Sequence, residues 1–353
     1  MRRNRLISLL LLSALLSACG REPVAEPADT RVAIGFSPSL SVETKTDYRD
    51  KPDSAALLLH EGSEAGVIGT RIVNPGVSEI PYTIFFNTRL HCDGVESPLN
   101  PADSTDSYWN YSPLKYWEAT GDYYFAAVFP YLPDNTTIDN AYFVSVQYQA
   151  GTNQDLMVAR AYRRVETMGV KPVNLSFNHA TSAVRFLFGK SSSSASDNYS
   201  LTDFQLTGLK VGGTLKVPSR ISENQSVVWS NWAQGATGNL SSVTALPLTV
   251  PHPDDSADPE DYVQVGWYYM VPQDMSADSA VRFSVSYNDN APVTTVLSIT
   301  DRDGVGGVDR WLPNCVYNYY ITLTQSGLNL TVKAIPWDEV QVTTDPFQFE
   351  GLS

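Results

Sequence analysis

Along much of this chain apolar and polar side chains alternate at every second position, and that period leaves few folds open. Val281, Phe283, Val285 and Tyr287 alternate with Arg282, Ser284, Ser286 and Asn288. This is the pattern of a strand with one face in a core and the other in water. Leu328, Leu330 and Val332 repeat it against Asn329, Thr331 and Lys333. Further β-rich runs lie at 82–86, 123–129, 142–148, 183–188, 263–271 and 317–323, separated by Gly, Pro, Asn and Asp clusters. Nineteen tyrosines suit half-buried pleats better than helices. No amphipathic helical stripe exceeds a turn or two, the best short candidate being 55–60. Many short strands with turn signals between them favour packed antiparallel sandwiches over any βαβ order, so the expected class is all-β.

The amino-terminal residues follow a different rule. Arg2, Arg3 and Arg5 precede an apolar-rich run of eleven residues, 6–16. That length suits the roughly 7–15 residues of an export signal and falls short of the ~20 that a helix needs to cross a bilayer. Leu16-Ser17-Ala18-Cys19 closes it, and this string resembles the lipobox of bacterial lipoproteins. The expectation is a signal peptide over 1–18, with Cys19 acylated as the first residue of the mature chain. Each buried methylene contributes about 0.8 kcal/mol, so several acyl chains on Cys19 would hold the protein stably at a membrane. Residues 19–30, with Pro23, Pro27 and three acids, are too polar and proline-rich to pack and read as a lipidated tether.

Charge narrows the partners. Loss of 1–18 removes Arg2, Arg3 and Arg5 and no acid, which takes the formal charge from −14 to −17. Nucleic acid is excluded as a partner on that balance. The four histidines, His60, His91, His179 and His252, form no i, i+4 pair and no HExxH, so no metal site is expected. The 301–309 stretch lacks the closing glutamate of a calcium loop and has Val305 at a ligand position; it reads as a glycine turn. There is no GxSxG elbow, and no pair of the 38 acidic residues stands out for hydrolysis. The chain is expected to be no enzyme and to need no cofactor.

A polar, helix-poor stretch around 169–172 separates two strand-rich halves, which places a domain boundary between 31–170 and 171–353. Ser191 opens a serine-rich loop within the second half. With Cys19 spent, Cys92 and Cys315 remain; their spacing leaves open both a bridge and two free thiols. The aromatics at 108–124, among them Trp109 and Trp117, admit a sugar-stacking platform but fit a sandwich interior better.

Several strings in chain order carry a resemblance. They are Tyr111-Ser112-Pro113-Leu114-Lys115-Tyr116-Trp117, Asp122-Tyr123-Tyr124-Phe125-Ala126-Ala127-Val128-Phe129-Pro130 and Phe177-Asn178-His179. Tyr268-Tyr269-Met270-Val271-Pro272-Gln273, Trp311-Leu312-Pro313-Asn314, Tyr317-Asn318-Tyr319-Tyr320-Ile321 and Pro336-Trp337 continue them. With the lipobox, they resemble the fimbrillin lipoproteins, subunits of type V pili. The resemblance implies two transthyretin-like antiparallel β-sandwich domains of about seven strands each. It also implies a structural or adhesive fimbrial subunit assembled by protease-triggered strand exchange. Matched residues such as Trp117, Trp311 and Trp337 would then serve cores and sheet edges, and His179 a buried or loop-capping hydrogen bond.

In that scheme an arginine-specific protease excises the first strand, and another subunit donates a segment into the groove left behind. Ile34 and Phe36 are the expected core residues of the removable strand, and Arg49, in the polar loop after it, is the expected cleavage point. Arg31 would release the lipid and keep the strand, while Arg71 lies in a predicted strand. Val340 and Val342, then Phe347 and Phe349 after the parity shift at Pro346, make 340–353 the expected donor tail. The expected partners are other fimbrial subunits by β-strand addition, the outer membrane through Cys19 before processing, and a host or bacterial surface ligand. The expected location is the outer membrane and cell-surface fimbrium. The alternative is an uncleaved outer-membrane lipoprotein that anchors a fimbria or binds glycans.

Overall fold

The computed structural model describes residues 32–40, 62–92, 109–118, 120–140, 142–150, 154–165, 172–191, 198–220, 227–230, 237–241, 244–253, 259–275, 281–288, 291–296, 308–325 and 327–336. All of these except Val32 lie in one unit that begins at Ala33. The first half contributes β1 (Phe36–Leu40), β2 (Glu64–Val73), β3 (Ile80–Cys92), β4 (Trp109–Asn110) and β5 (Gly121–Phe129). It continues with β6 (Thr136–Asn140), β7 (Phe143–Gln149), β8 (Met157–Val165) and β9 (Val173–His179). The second half contributes β10 (Ser182–Lys190), β11 (Tyr199–Lys210), β12 (Gly212–Pro218), β13 (Val228–Ser230), β14 (Thr237–Ser241) and β15 (Leu248–Val250). It ends with β16 (Val263–Met270), β17 (Gln273–Asp274), β18 (Arg282–Tyr287), β19 (Val293–Val296), β20 (Arg310–Trp311), β21 (Cys315–Thr324) and β22 (Gly327–Pro336). The expected all-β class is what the structure shows: among the described residues the one helical element is a single 3-10 turn, Pro259–Asp261.

Seven strands form a sheet in the order β1-β9-β8-β5-β2-β3-β4. Its neighbours are antiparallel except at one end, where β1 runs parallel to β9. The sheet curls until its ends meet, and an antiparallel bridge between Ala33 and Tyr116 closes it. Central β5 is buried from Asp122 to Phe129 because both of its faces are covered. Phe125 packs against Phe36 and Phe85 on one side. Ala126 and Val128 on the other side join a core with Val144 and Val146 of β7. A strand covered twice has no wet face to mark with polar residues, which is why 123–129 reads as an unbroken apolar run.

The second face of that sheet is covered by a four-stranded sheet, β13-β12-β7-β6. The remaining strands make β16-β10-β21-β22, β14-β11-β18-β19 with β15 also on β11, and the two-stranded β17-β20. Between them lie Phe186, Phe188, Phe204, Tyr268, Phe283 and Tyr319. In this group Phe186 and Phe204 lie 5.0 Å apart and Phe186 stacks on Tyr319 at 5.0 Å. Where the alternation is strict the burial follows it: Phe283, Val285 and Tyr287 are buried and Arg282 is exposed.

Hydrogen-bonded sheets cross the expected 170/171 boundary. β9 pairs with β8 and β1, and β12 lies against β7 over seven residues from Gly212–Gln149 to Pro218–Phe143. Cys92, which is buried, and Cys315, which is half-buried, form no disulfide with each other.

One close approach is decisive for the first core. Gly69 of β2 sits between Phe85 and Phe125, and a Cβ there would meet Phe85 Cδ2 at 2.7 Å and Phe125 Cδ1 at 3.0 Å. Both rings are held by Phe36 and have no open side to move into. Gly69→Ala should therefore lower the stability of the folded protein by about 1–3 kcal/mol, read as a lower urea midpoint with an unchanged slope.

Candidate functional site

The closure of the first sheet is made by a short piece of chain with two kinds of attachment. Ile34 and Phe36 are both fully buried. The Phe36 ring lies 5.3 Å from Phe85, 5.5 Å from Phe125 and 5.8 Å from Tyr111, each in an edge-to-face arrangement. That geometry matches the ring quadrupoles and adds about 0.5–1.5 kcal/mol per pair to the burial of apolar area.

The backbone is tied on both sides. Ile34 N donates to Lys115 O at 2.8 Å, and Val173 N donates to Gly35 O at 2.8 Å. From Phe36 onward the segment follows β9 in parallel register, Phe36 opposite Val173 and Leu40 opposite Phe177. The chain thus changes partners at Gly35, from the 111–116 segment to β9. The strand expected to carry Ile34 and Phe36 thus begins with a bridge at Ala33 and continues as β1, which starts at Phe36.

Tyr111 completes the closure. Its hydroxyl donates to Ile34 O at 2.7 Å and accepts from Lys115 N at 3.2 Å. Burial pushes its phenol up to about 12, so it stays a neutral donor across the physiological range. Tyr111 stood in the Tyr-Ser-Pro string, but its bond to Ile34 spans 77 residues and no local pattern announces such a partner.

This arrangement has the form of a plug. The entering segment ends in β1, at the end of its sheet and paired in parallel with β9, and fills a core with Ile34 and Phe36. Its removal would open a slot lined by Phe85, Tyr111 and Phe125 and leave amides and carbonyls of β9 without partners, the two features that accept a foreign strand.

Other residues singled out by sequence prove to be architectural. Trp109 and Trp117 are buried and Tyr123 packs on Trp117 at 4.8 Å, so these rings form core and present no sugar platform. His179 Nδ1 lies 2.6 Å from Asp155 Oδ2, and the Thr181 hydroxyl donates to Asp155 Oδ1 at 2.7 Å, all three residues being buried. Gln273 caps the end of β11, accepting from Lys210 N at 3.0 Å and donating to Lys210 O at 3.3 Å. Trp311 Nε1 donates to the Tyr319 hydroxyl at 2.9 Å. Arg71 is in β2, as expected, with its guanidinium bound to Glu118 at 2.5 Å and to Thr120 O at 2.6 Å. A protease would have to unpair it first. Cys19, Arg49, Trp337, Val340, Val342, Phe347 and Phe349 lie outside the described residues. Among the described residues no group of three or more His, Cys, Asp or Glu is placed to hold a metal ion.

Tyr111→Phe keeps the ring and removes the hydroxyl, depriving the buried Ile34 O and the half-buried Lys115 N of a partner. The expected cost is about 1–3 kcal/mol. The folded state holds the Tyr111 proton more tightly than the unfolded chain, so this contribution is complete below the ordinary phenol pKa of 10 and is lost as pH rises through about 12. Urea midpoints of the two proteins should accordingly converge over that interval.

Residues 94–337 match the model of a family described as Fimbrillin-like. A comparison with curated proteins found no match. Among solved structures the chain is similar to a fimbrial protein from Bacteroides vulgatus, with 14% identity over 86% of this chain and 99% of that one and a TM-score of 0.53. It is also similar to candidate cell adhesion proteins from Bacteroides ovatus and Bacteroides uniformis. The first gives 14% identity over 88% of this chain and 99% of that one, TM-score 0.52. The second gives 13% identity over 88% and 100%, TM-score 0.51. Likeness at these identities is one of fold.

Proposed function

Since the chain belongs to the fimbrillin-like family, we propose that it is a structural or adhesive subunit of a type V fimbria, assembled by protease-triggered strand exchange and without catalytic activity. The observation that carries this reading is the plug: an entering segment whose Ile34 and Phe36 are wholly inside the fold and whose backbone is fastened to the 111–116 segment by the bridge at Ala33, the bond from Ile34 N to Lys115 O and the bond from the Tyr111 hydroxyl to Ile34 O. Each such side chain contributes about 1.5–3 kcal/mol by burial, so the slot it leaves favours refilling.

In the proposed sequence Cys19 carries the lipid that holds the exported chain at the outer membrane. Cleavage after Arg49 separates 19–49, lipid and plug together, from the body of the protein. The 340–353 tail of another subunit then supplies Val340, Val342, Phe347 and Phe349 as replacement apolar side chains along a new strand. The mature protein is part of a surface fimbrium, with other subunits as partners and a host or bacterial surface molecule as ligand.

Two measurements decide between this and an uncut lipoprotein. Mass spectrometry of protein sheared from producing cells should find a mature chain starting at Asp50 and carrying no lipid, whereas an acylated Cys19 start would replace this reading by that of an anchor. Joint substitution of Val340, Val342, Phe347 and Phe349 by serine should abolish fibres in electron micrographs while the monomer keeps its unfolding midpoint. Normal fibres from that variant would sink the donor-tail assignment.

A further inference from the structure

Beside the plug, one part of the molecule concentrates chemistry that its core does not require. On the face of the first sheet turned toward β13-β12-β7-β6, Asp122 is opposite Arg164 and Tyr124 opposite Tyr162. The side chains meet as the register dictates. The Arg164 guanidinium donates to Asp122 Oδ1 at 2.8 Å and Oδ2 at 3.2 Å, and the Tyr162 hydroxyl donates to Asp122 Oδ1 at 3.1 Å. The Tyr124 and Tyr162 rings lie 5.0 Å apart. From beyond the end of β12, Arg220 sits over Tyr124 at 5.8 Å and over Tyr142 at 5.5 Å. Its two terminal nitrogens grip Glu79 from the β2–β3 hairpin at 2.8 and 3.0 Å.

Five separate pieces of chain thus bring three tyrosine rings and two carboxylate–guanidinium pairs to one place. As ion pairs at a surface they add little to stability, about 0–1 kcal/mol each. As a recognition surface they are well made. Asp122 is 5% exposed in its side chain, so it holds Arg164 and Tyr162 in fixed positions from beneath. Tyr162 keeps 42% of its surface in water, a large aromatic face that folding did not cover.

We propose that this cluster is a binding platform for a neutral sugar. An aromatic face stacks on the C–H face of a pyranose ring, and planar carboxylates and guanidinia fixed around it exchange hydrogen bonds with the hydroxyl groups. The two acids and two guanidinia balance within the patch, on a chain whose net charge is −14. That local neutrality suits an uncharged, hydroxyl-rich ligand, and the surrounding field disfavours sialylated or sulfated ones. The inference gives a ligand class to the adhesive side of the proposed function, and it concerns the folded monomer, so it stands or falls independently of strand exchange.

Saturation-transfer NMR on the purified, unpolymerised protein tests it with lactose, N-acetyllactosamine, mannotriose and 3′-sialyllactose as probes. At least one neutral sugar is expected to bind, with 3′-sialyllactose weaker. Tyr162→Ala and Arg164→Ala should each weaken binding about tenfold, equivalent to ~1.4 kcal/mol, while Tyr162→Phe retains the stacking and most of the affinity. Unchanged urea midpoints would show that the variants remain folded. The proposal is overturned if none of the neutral sugars binds, if 3′-sialyllactose binds best, or if binding survives both alanine substitutions. A fall in stability without a change in sugar binding would also overturn it, leaving the cluster as a tie between the hairpin and β12.

Discussion

The packing of Phe36 against Phe85 and Phe125 is the contact on which the first sheet depends. Those three rings, with Tyr111, fill the inside of a curled sheet whose ends do not otherwise share a continuous ladder. Gly69 lacks a side chain so that Phe85 and Phe125 can approach across β2. Tyr111 reaches back to Ile34 O so that the entering segment is bonded as well as packed. Remove the Phe36 ring from the middle and Phe85, Phe125 and Tyr111 lose the partner they share.

The same region shows how a fold can be both complete and separable. Interior strands such as β5 and β10 are hydrogen-bonded on both sides and buried on both faces. They can leave only when the domain unfolds. β1 has interior side chains but an end-of-sheet backbone, and its parallel pairing with β9 is slightly weaker per residue than an antiparallel one. Function, on the proposed reading, lies in that combination of deeply set side chains with a strand at the end of its sheet.

Much of this was legible in the sequence, and the physical reason is the period. β18 and β22 show a dry and a wet face, and their alternation was visible residue by residue. The runs that became β5 and β10 were recognisable as strands because turn residues bounded them. Ile34 and Phe36, expected as core residues of the first strand, are fully buried. Partnership was not readable. A strand's period says which side faces inward and nothing about which strand lies alongside, so β9 joining β8 across residue 170, and β12 joining β7, came only with the three-dimensional structure. The Tyr111–Ile34 bond and the Asp122–Arg164–Tyr162 group escaped for a related reason. Both join residues 40 or more positions apart, and a tyrosine in a strand looks the same whether its hydroxyl meets water or a distant carbonyl.

The place of β1 and the place of β22 have a geometric consequence. β1 closes the seven-stranded sheet, while β22, after which the chain runs toward its end, is the outer strand of a different sheet. A bond between the slot of one copy and the terminal segment of the next would unite two unlike patches, so one such bond leaves a slot on one copy and a terminal segment on the other unused. Each addition would use one slot and bring another, unfilled, to the growing end. Such a contact has a direction and no intrinsic stopping point, and the length of the polymer would be set by the supply of subunits or by a copy whose slot is never opened.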